Sequence, residues 1–135
     1  MKYMLLIYID PQKLDALPEG KFESMMRDCL THADELQTSG TLTDSQMLEE
    51  PKTAKSVRIR AGRVTTTDGP FAEAKEVLGG FNLIEADSME EACRIAASFP
   101  WANTGCVEVR PVQDIGAMRK RVFAGHQNAR ERAHS

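Results

Sequence analysis

The sequence predicts an α+β fold, a ferredoxin-like sandwich in which two helices cover one face of an antiparallel sheet. Two observations support this prediction. The 135 residues suffice for one domain with a single core. Stretches of strand-like alternation and of helical periodicity follow one another in the order β-α-β-β-(β)-β-α-β. A further segment after the last strand is expected to form a helical tail.

The first strand and the first helix have the clearest patterns. Residues 2–9, KYMLLIYI, are apolar on both alternating faces, which is typical of a central strand, and Asp10-Pro11 ends it. A helix is predicted over residues 18–39, because one stripe of apolar side chains recurs at helical spacing. Its members are Phe22, Met25, Met26, Cys29, Ala33 and Leu36. Gly40 follows where a glycine commonly ends a helix, and a strand is expected over 41–48.

The middle of the chain predicts an added β-hairpin strand. The alternation in residues 55–60 and the β-branched run in 63–67 indicate two strands joined by a turn at Ala61-Gly62. Asp68-Gly69-Pro70 then breaks the second strand. Phe71 is expected to anchor this corner in the core.

The second half of the domain repeats the strand, helix and strand order. Residues 79–86 are predicted as a strand, and Gly79-Gly80 at its start indicates a bulge or a close backbone approach. A capping box, Ser88 with Glu91, opens the second helix. The last strand is predicted over residues 106–112.

Composition bounds the class of protein. A net charge of -3 argues against a general nucleic-acid binder, and no apolar run is long enough to cross a membrane. Three widely spread cysteines show no metal-ligand spacing and indicate a reducing cytoplasm. Residues 1–113 are predicted as the α+β domain. Residues 114–135 form the tail, with five Lys/Arg against two acids.

The first strand also predicts a homodimer. Two helices cover one face of a sheet, yet this strand is apolar on both of its faces. Leaving the second face in water would expose a contiguous apolar patch, which is typical of an interface. We therefore expect two copies to pack sheet to sheet.

Three segments together resemble the DGPF branch of the YCII-related family. They are MKYMLLIY at the start, TDGPFAEAKEVLGGF in the middle and GCVEVRPV near the end. The resemblance covers residues 1–113, and it departs from the usual DGPFAETKE at Ala74, where threonine is usual. It implies a dimeric α+β barrel of ferredoxin-like halves without a settled activity. It also implies an association with extracytoplasmic-function sigma factors, as genomic neighbours or fused domains.

The resemblance bears on catalysis as well. Some distant YCII-related proteins are lyases or dehydrochlorinases in which a His–Asp pair is proposed as acid and base. The register of their histidine in the first helix corresponds here to Cys29. Because His32 lies three residues later, the pair does not carry over.

The charged segment after the Asp-Gly-Pro turn is the best candidate for a site. Carboxylates and an ammonium held close together tune one another's pKa values and can perform acid/base chemistry. Asp68, Glu73 and Glu76 are therefore candidate catalytic residues, and Asp68 and Lys75 are candidate ligand-binding residues. The alternative is a turn-forming aspartate followed by a solvated charged loop.

Three residues on the helix and strands complete the candidates. His32 lies about 80° from the centre of the helix stripe, at the boundary of core and solvent, and is a candidate catalytic residue. Tyr8 and Arg110 are candidate ligand-binding residues, Arg110 together with Arg58 and Arg60 as an anion site. The alternatives are packing for the tyrosine and cross-strand pairing for the arginines.

No Ser-His-Asp, CxxC, HExxH or Walker pattern is present, so no cofactor and no metal are predicted. The leading hypothesis is a dimeric accessory module that binds a small anionic ligand or a regulatory protein partner, linked by the resemblance to sigma-factor regulation. The alternative is a small cofactor-independent enzyme of lyase or isomerase type, with its site in a cleft at the dimer interface. Oxidant sensing through Cys29 or Cys106 is a weaker hypothesis, because both thiols are expected to be buried and inert.

Overall fold

A computed structural model describes residues 1–72 and 74–134, with side chains through Gly125 except at residue 73. In chain order the elements are β1 (Lys2–Ile9), α1 (Pro11–Asp15), α2 (Lys21–Thr38), β2 (Leu42–Met47), β3 (Lys55–Arg60), β4 (Arg63–Asp68), β5 (Val77–Glu85), α3 (Met89–Ala97), β6 (Gly105–Pro111) and α4 (Ile115–His134). Short 3-10 turns at Pro51–Thr53 and Pro100–Ala102 precede β3 and β6.

Four strands form the main sheet in the order β2-β5-β1-β6, and each neighbouring pair is antiparallel. This is the strand order of a ferredoxin-like sandwich, with β1 and β5 in the centre, so the predicted fold class is confirmed. The helices α2 and α3 pack on one face, because their apolar stripes join the same buried cluster as the odd-numbered residues of β1.

The core lies between that sheet face and the two helices. Leu5 of β1 and Ile84 of β5 are fully buried at its centre. The helices contribute Met25, Ala92 and Ala96, all nearly inaccessible to solvent. Small alanines on α3 let this helix lie close to the sheet, as dense packing requires.

The structure shows both predicted capping motifs, at the C-terminus of α2 and at the N-terminus of α3. Gly40 adopts φ +83° after α2, where Thr41 N–H donates to Leu36 O over 2.9 Å and closes a Schellman motif. At the start of α3, Ser88 Oγ accepts from Glu91 N–H over 3.1 Å. The sequence did not predict α1, in which Asp10 accepts from Gln12 N–H, or the later start of α2 after Gly20.

The predicted hairpin forms, but it is not added to the main sheet. β3 and β4 make a separate two-stranded sheet, because Pro51 and the Gly69-Pro70 turn interrupt the chain at both of its ends. Phe71 does not plug the core and is 82% exposed, since its loop continues the hairpin rather than crossing the sheet. The apolar side chains of the hairpin, Val57, Ile59 and Val64, are likewise exposed.

Gly79-Gly80 produces both features that the sequence indicated. The register of β1 against β5 shifts between Ile7 and Tyr8, which leaves Gly79 as the extra residue of a bulge. At Gly80 a Cβ atom would lie 2.5 Å from Gln46 O of β2, so only glycine admits this close strand contact.

Gly105 marks a second close approach, between β6 and β1. A Cβ atom there would lie 2.1 Å from Tyr8 O and 3.1 Å from Tyr8 C, both of them backbone atoms that cannot rotate away. We expect Gly105→Ala to lower the free energy of unfolding by about 1–3 kcal/mol, in chemical denaturation followed by circular dichroism.

Gly125→Ala is the matched control for this prediction. Outside the backbone of α4 itself, no atom of the described residues lies within 4 Å of a Cβ at Gly125, so alanine there should be neutral or stabilising by up to about 1 kcal/mol. Equal unfolding free energies for the two variants would contradict the close approach at Gly105.

Candidate functional site

A cavity of about 310 Å³ lies between α2 and the helix-facing side of the main sheet. Its floor comes from β1, β2 and β5, where Ile7, Ile9, Gly79 and Gly80 contribute, and its walls come from α1, α2 and the turn that carries Trp101. The glycines matter here because side chains at their positions would occupy the space between strands and helix.

Apolar side chains that the fold leaves accessible surround this cavity. Phe22 is 38% exposed, Leu30 55%, Met47 67% and Leu48 45%, and all four line it. Phe22 packs against the Trp101 ring with centroids 6.2 Å apart and an interplanar angle of 46°. Apolar side chains gathered in a concavity are typical of small-molecule sites.

One hydrogen-bonded polar pair, a buried asparagine with an exposed serine, interrupts the apolar surface. Asn82 of β5 is 3% exposed, and its Oδ1 accepts a hydrogen bond of 2.6 Å from Ser45 Oγ on β2. The two residues are direct cross-strand partners, so the antiparallel register sets their side chains on the same face. Both line the cavity, and they place a polar group in its otherwise apolar floor.

Cys29 contributes a thiol to the wall of the cavity on α2. Trp101 Nε1–H donates to Cys29 Sγ over 3.2 Å, which joins the helix to the turn after α3. Burial raises the pKa of the Cys29 thiol above its ordinary value, and the hydrogen bond from Trp101 only partly offsets this. The thiol is therefore protonated at neutral pH and is a poor nucleophile.

His32 lies at the edge of α2 and connects it to α3. Its Nε2 is 2.6 Å from Ser98 Oγ, its Nδ1 is 3.8 Å from Glu35, and its ring meets Phe99 edge-on. Ser98 Oγ–H donates to Ile95 O, so the histidine is the donor in its contact with the serine. A serine whose proton is held by a backbone carbonyl is not activated by that histidine, so the arrangement serves to join the helices.

The structure separates the charged residues predicted around the Asp-Gly-Pro turn. Asp68 is exposed at the end of β4 and pairs with Lys55 across the hairpin. Glu76 is exposed, and Glu73 lies outside the described residues. Lys75 reaches toward β1 instead, where its Nζ is 3.9 Å from the buried Asp10 carboxylate.

Tyr8 and Arg110 lie on the face of the main sheet that the helices leave uncovered. Tyr8 is opposite Cys106 on β6, and Arg110 pairs with Glu108 of its own strand. Arg58 and Arg60 belong to the separate hairpin, so the predicted arginine cluster is not assembled. None of the predicted site residues within the described chain lines the cavity, and their catalytic and binding roles stay predictions.

The residues that build the cavity had only a weak signal in the sequence. Asn82 is a polar residue in an otherwise apolar stretch and alternates onto the same strand face as Ile84. That pattern indicates a buried amide. Its partner Ser45 and the neighbouring Trp101 come from distant segments, which no local pattern connects to it.

Two further properties of the described residues bear on the class of site. No group of three or more His, Cys, Asp or Glu side chains among residues 1–72 and 74–125 could hold a metal ion. None of the helices described is long and apolar enough to cross a membrane. Cys93 and Cys106 are exposed, so the expectation of a buried Cys106 is wrong; its strand turns that side chain to the uncovered face.

Comparison with known proteins gives two matches. The family description "YCII-related domain" matches residues 1–116 of the chain. An uncharacterized protein of Rhizobium meliloti (strain 1021) is 37% identical over 114 residues, which cover 83% of this chain and 92% of that protein.

The raised pKa and partial burial of Cys29 predict slow alkylation. In a Cys93→Ser/Cys106→Ser variant, iodoacetamide should label Cys29 more slowly than it labels Cys93 in the matched Cys29→Ser/Cys106→Ser variant. The thiolate is the reactive form, so the labelling rate of Cys29 should also rise at higher pH than that of a free thiol such as glutathione. Mass spectrometry of labelling across a pH series measures both, and superimposed profiles would contradict the prediction.

Proposed function

The chain belongs to the YCII-related domain family, and we propose that this protein is a small-molecule binding module whose ligand occupies the cavity between α2 and the sheet. One observation carries the proposal. The cavity combines a wall of accessible apolar side chains with the buried amide of Asn82, which is held by a hydrogen bond from Ser45. A concave apolar surface with a few fixed polar groups is the usual construction of a ligand site.

Binding is favoured over catalysis by the chemistry of the lining. Among the described residues that line the cavity, Cys29 alone carries a titratable group, and burial keeps its thiol protonated. General acid/base catalysis requires a positioned proton donor and acceptor near the substrate. The position that corresponds to the histidine of the distant enzymes holds this cysteine, which supports the binding role.

We also propose that the module is a homodimer assembled through the uncovered face of the main sheet. Met4, Leu6 and Tyr8 of β1 lie on that face beside Phe81 and Leu83 of β5. In a single chain these apolar side chains are only half-buried. A second copy would cover them symmetrically and leave the cavity on the helix side open.

The finer placement of the chain in its family is part of this proposal. Asp68-Gly69-Pro70-Phe71 supports membership of the DGPF branch, and through that resemblance a role beside a sigma factor. The described residues of this segment, 68–72 and 74–76, do not line the cavity, so we assign them to a partner contact rather than to ligand binding.

Binding in the cavity can be followed through Trp101, the one tryptophan of the sequence. We expect the neutral fluorescent probe N-phenylnaphthylamine to bind and to accept energy from the Trp101 ring, which lines the cavity. Ala33→Phe should weaken the probe by about tenfold or more, because the added ring takes up apolar surface that the probe would bury. Fluorescence titration measures both effects.

Ala97→Phe is the matched control, since Ala97 is exposed on α3 and does not line the cavity. Circular dichroism of both variants checks that the fold is retained. No energy transfer from wild-type protein, or equal weakening by both variants, would contradict the proposed function.

A charged side chain introduced on the uncovered face of the main sheet should disrupt the proposed dimer. Leu6→Arg should give a monomer in size-exclusion chromatography with light scattering, because the interface would bury an unpaired guanidinium group. Leu30→Arg on α2 is the matched control and should keep the wild-type mass, expected at twice 15.0 kDa. A wild-type protein that elutes as a monomer would overturn the dimer.

A further inference from the structure

We infer that the ligand of the cavity is an uncharged, mainly apolar molecule of up to three rings whose single hydrogen-bond acceptor, a carbonyl or ether oxygen, faces Asn82 Nδ2. The inference rests on the proposed function and narrows it to a ligand class. Two independent features of the described residues support it, the absence of charge in the lining and an unused amide donor in the floor.

The lining residues exclude an ionic ligand. Among the described residues that line the cavity, none is Asp, Glu, Lys, Arg or His. On entering the cavity, a charged ligand would lose its hydration and gain no counter-ion, and this costs free energy in an apolar site. The sequence-based expectation of an anionic ligand therefore does not fit this cavity.

The neighbouring surface adds a second barrier to anions. A shallower hollow shares Ile9, Leu14, Leu48 and Gly79 with the cavity and forms its continuation. That hollow carries Asp15, Glu49 and Glu50 against the one cation Lys52 among its described lining residues. The excess of carboxylates repels an anion before it reaches the apolar part.

The Asn82 amide supplies the one directed contact. Its Oδ1 is occupied by Ser45 Oγ–H, whereas its Nδ2 makes no hydrogen bond with the described residues. Among those residues the only fully buried polar side-chain atom without a partner is Thr104 Oγ1, so Nδ2 stays accessible from the cavity. A donor in an apolar floor selects a ligand that brings an acceptor, because an apolar ligand would cover it unpaired.

The size of the cavity limits the ligand body. About 310 Å³ is at the lower end of the roughly 300–1,000 Å³ range of small-molecule sites, which suits a ligand of up to three rings. The aromatic rings of Phe22, Phe99 and Trp101 border this space. They favour a flat apolar body by offset or edge-on contact.

Three probes of the same ring system test the ligand class. Naphthyl methyl ketone is neutral with one acceptor, ethylnaphthalene replaces the carbonyl by a methylene, and naphthoate carries a carboxylate. Each is titrated against full-length protein with quenching of Trp101 and displacement of N-phenylnaphthylamine as readouts. We expect the ketone to bind about fivefold more tightly than the hydrocarbon, and naphthoate to bind weakest.

Asn82→Leu replaces the amide by an apolar side chain with the same number of non-hydrogen atoms and should abolish the preference for the ketone over the hydrocarbon. Gln37→Leu is the matched control, an amide replaced on the exposed side of α2 away from the cavity, and should keep the preference. If Asn82→Leu does not fold, the comparison of the three probes on wild-type protein still tests the ligand class.

The possible outcomes are distinct. Equal affinity for ketone and hydrocarbon on wild-type protein, or a preference that survives Asn82→Leu, overturns the role of Asn82 while the proposed binding function stands. Tight binding of naphthoate overturns the neutral ligand class. Failure of every probe, N-phenylnaphthylamine included, overturns both the inference and the proposed function.

Discussion

The fold depends on the burial of β1. This strand pairs with β5 on one side and β6 on the other, so its backbone donors and acceptors are satisfied within the sheet. Tyr3 and Leu5 face the helices, where they are 4% and 0% exposed. The side chains that alternate with them lie on the opposite face of the sheet. Because they are apolar too, that second face also has to be shielded from water.

The same strand sets the position of the cavity. Near the C-terminal end of β1, Gly79 forms a bulge in β5. At Gly80 the absence of a side chain lets the backbone of β2 approach β5 closely. These glycines put no side chains on the helix-facing side, and α2 passes above them. The space that results is filled by neither sheet nor helix, and Phe22 and Leu30 remain accessible around it.

The polar interactions of the molecule are of two kinds, exposed ion pairs and a buried amide, and they differ in their effect on free energy. Asp68 with Lys55 and Arg110 with Glu108 are exposed pairs, and such pairs contribute about 0–1 kcal/mol each. The Asn82 amide is different, because it lies in a nearly dry floor where an unmade hydrogen bond costs more than an exposed one. The density of charged residues in the sequence therefore points to the exposed loop after Asp68. The polar group with the larger effect on free energy is the buried amide of Asn82.

Features that depend on local spacing and backbone preference could be predicted from the sequence. The two-sided apolar pattern of β1, the Schellman end of α2 at Gly40, the cap at Ser88 and the bulge at Gly79 all follow from spacing and backbone preference, and so does the order of elements that fixes the fold class. Tertiary structure alone decided that Phe71 stays exposed, that the hairpin stands apart, and that Ser45 meets Asn82 across 37 residues of chain. A cavity forms where surfaces from distant segments fail to close, and no pattern within one segment records the shape of another.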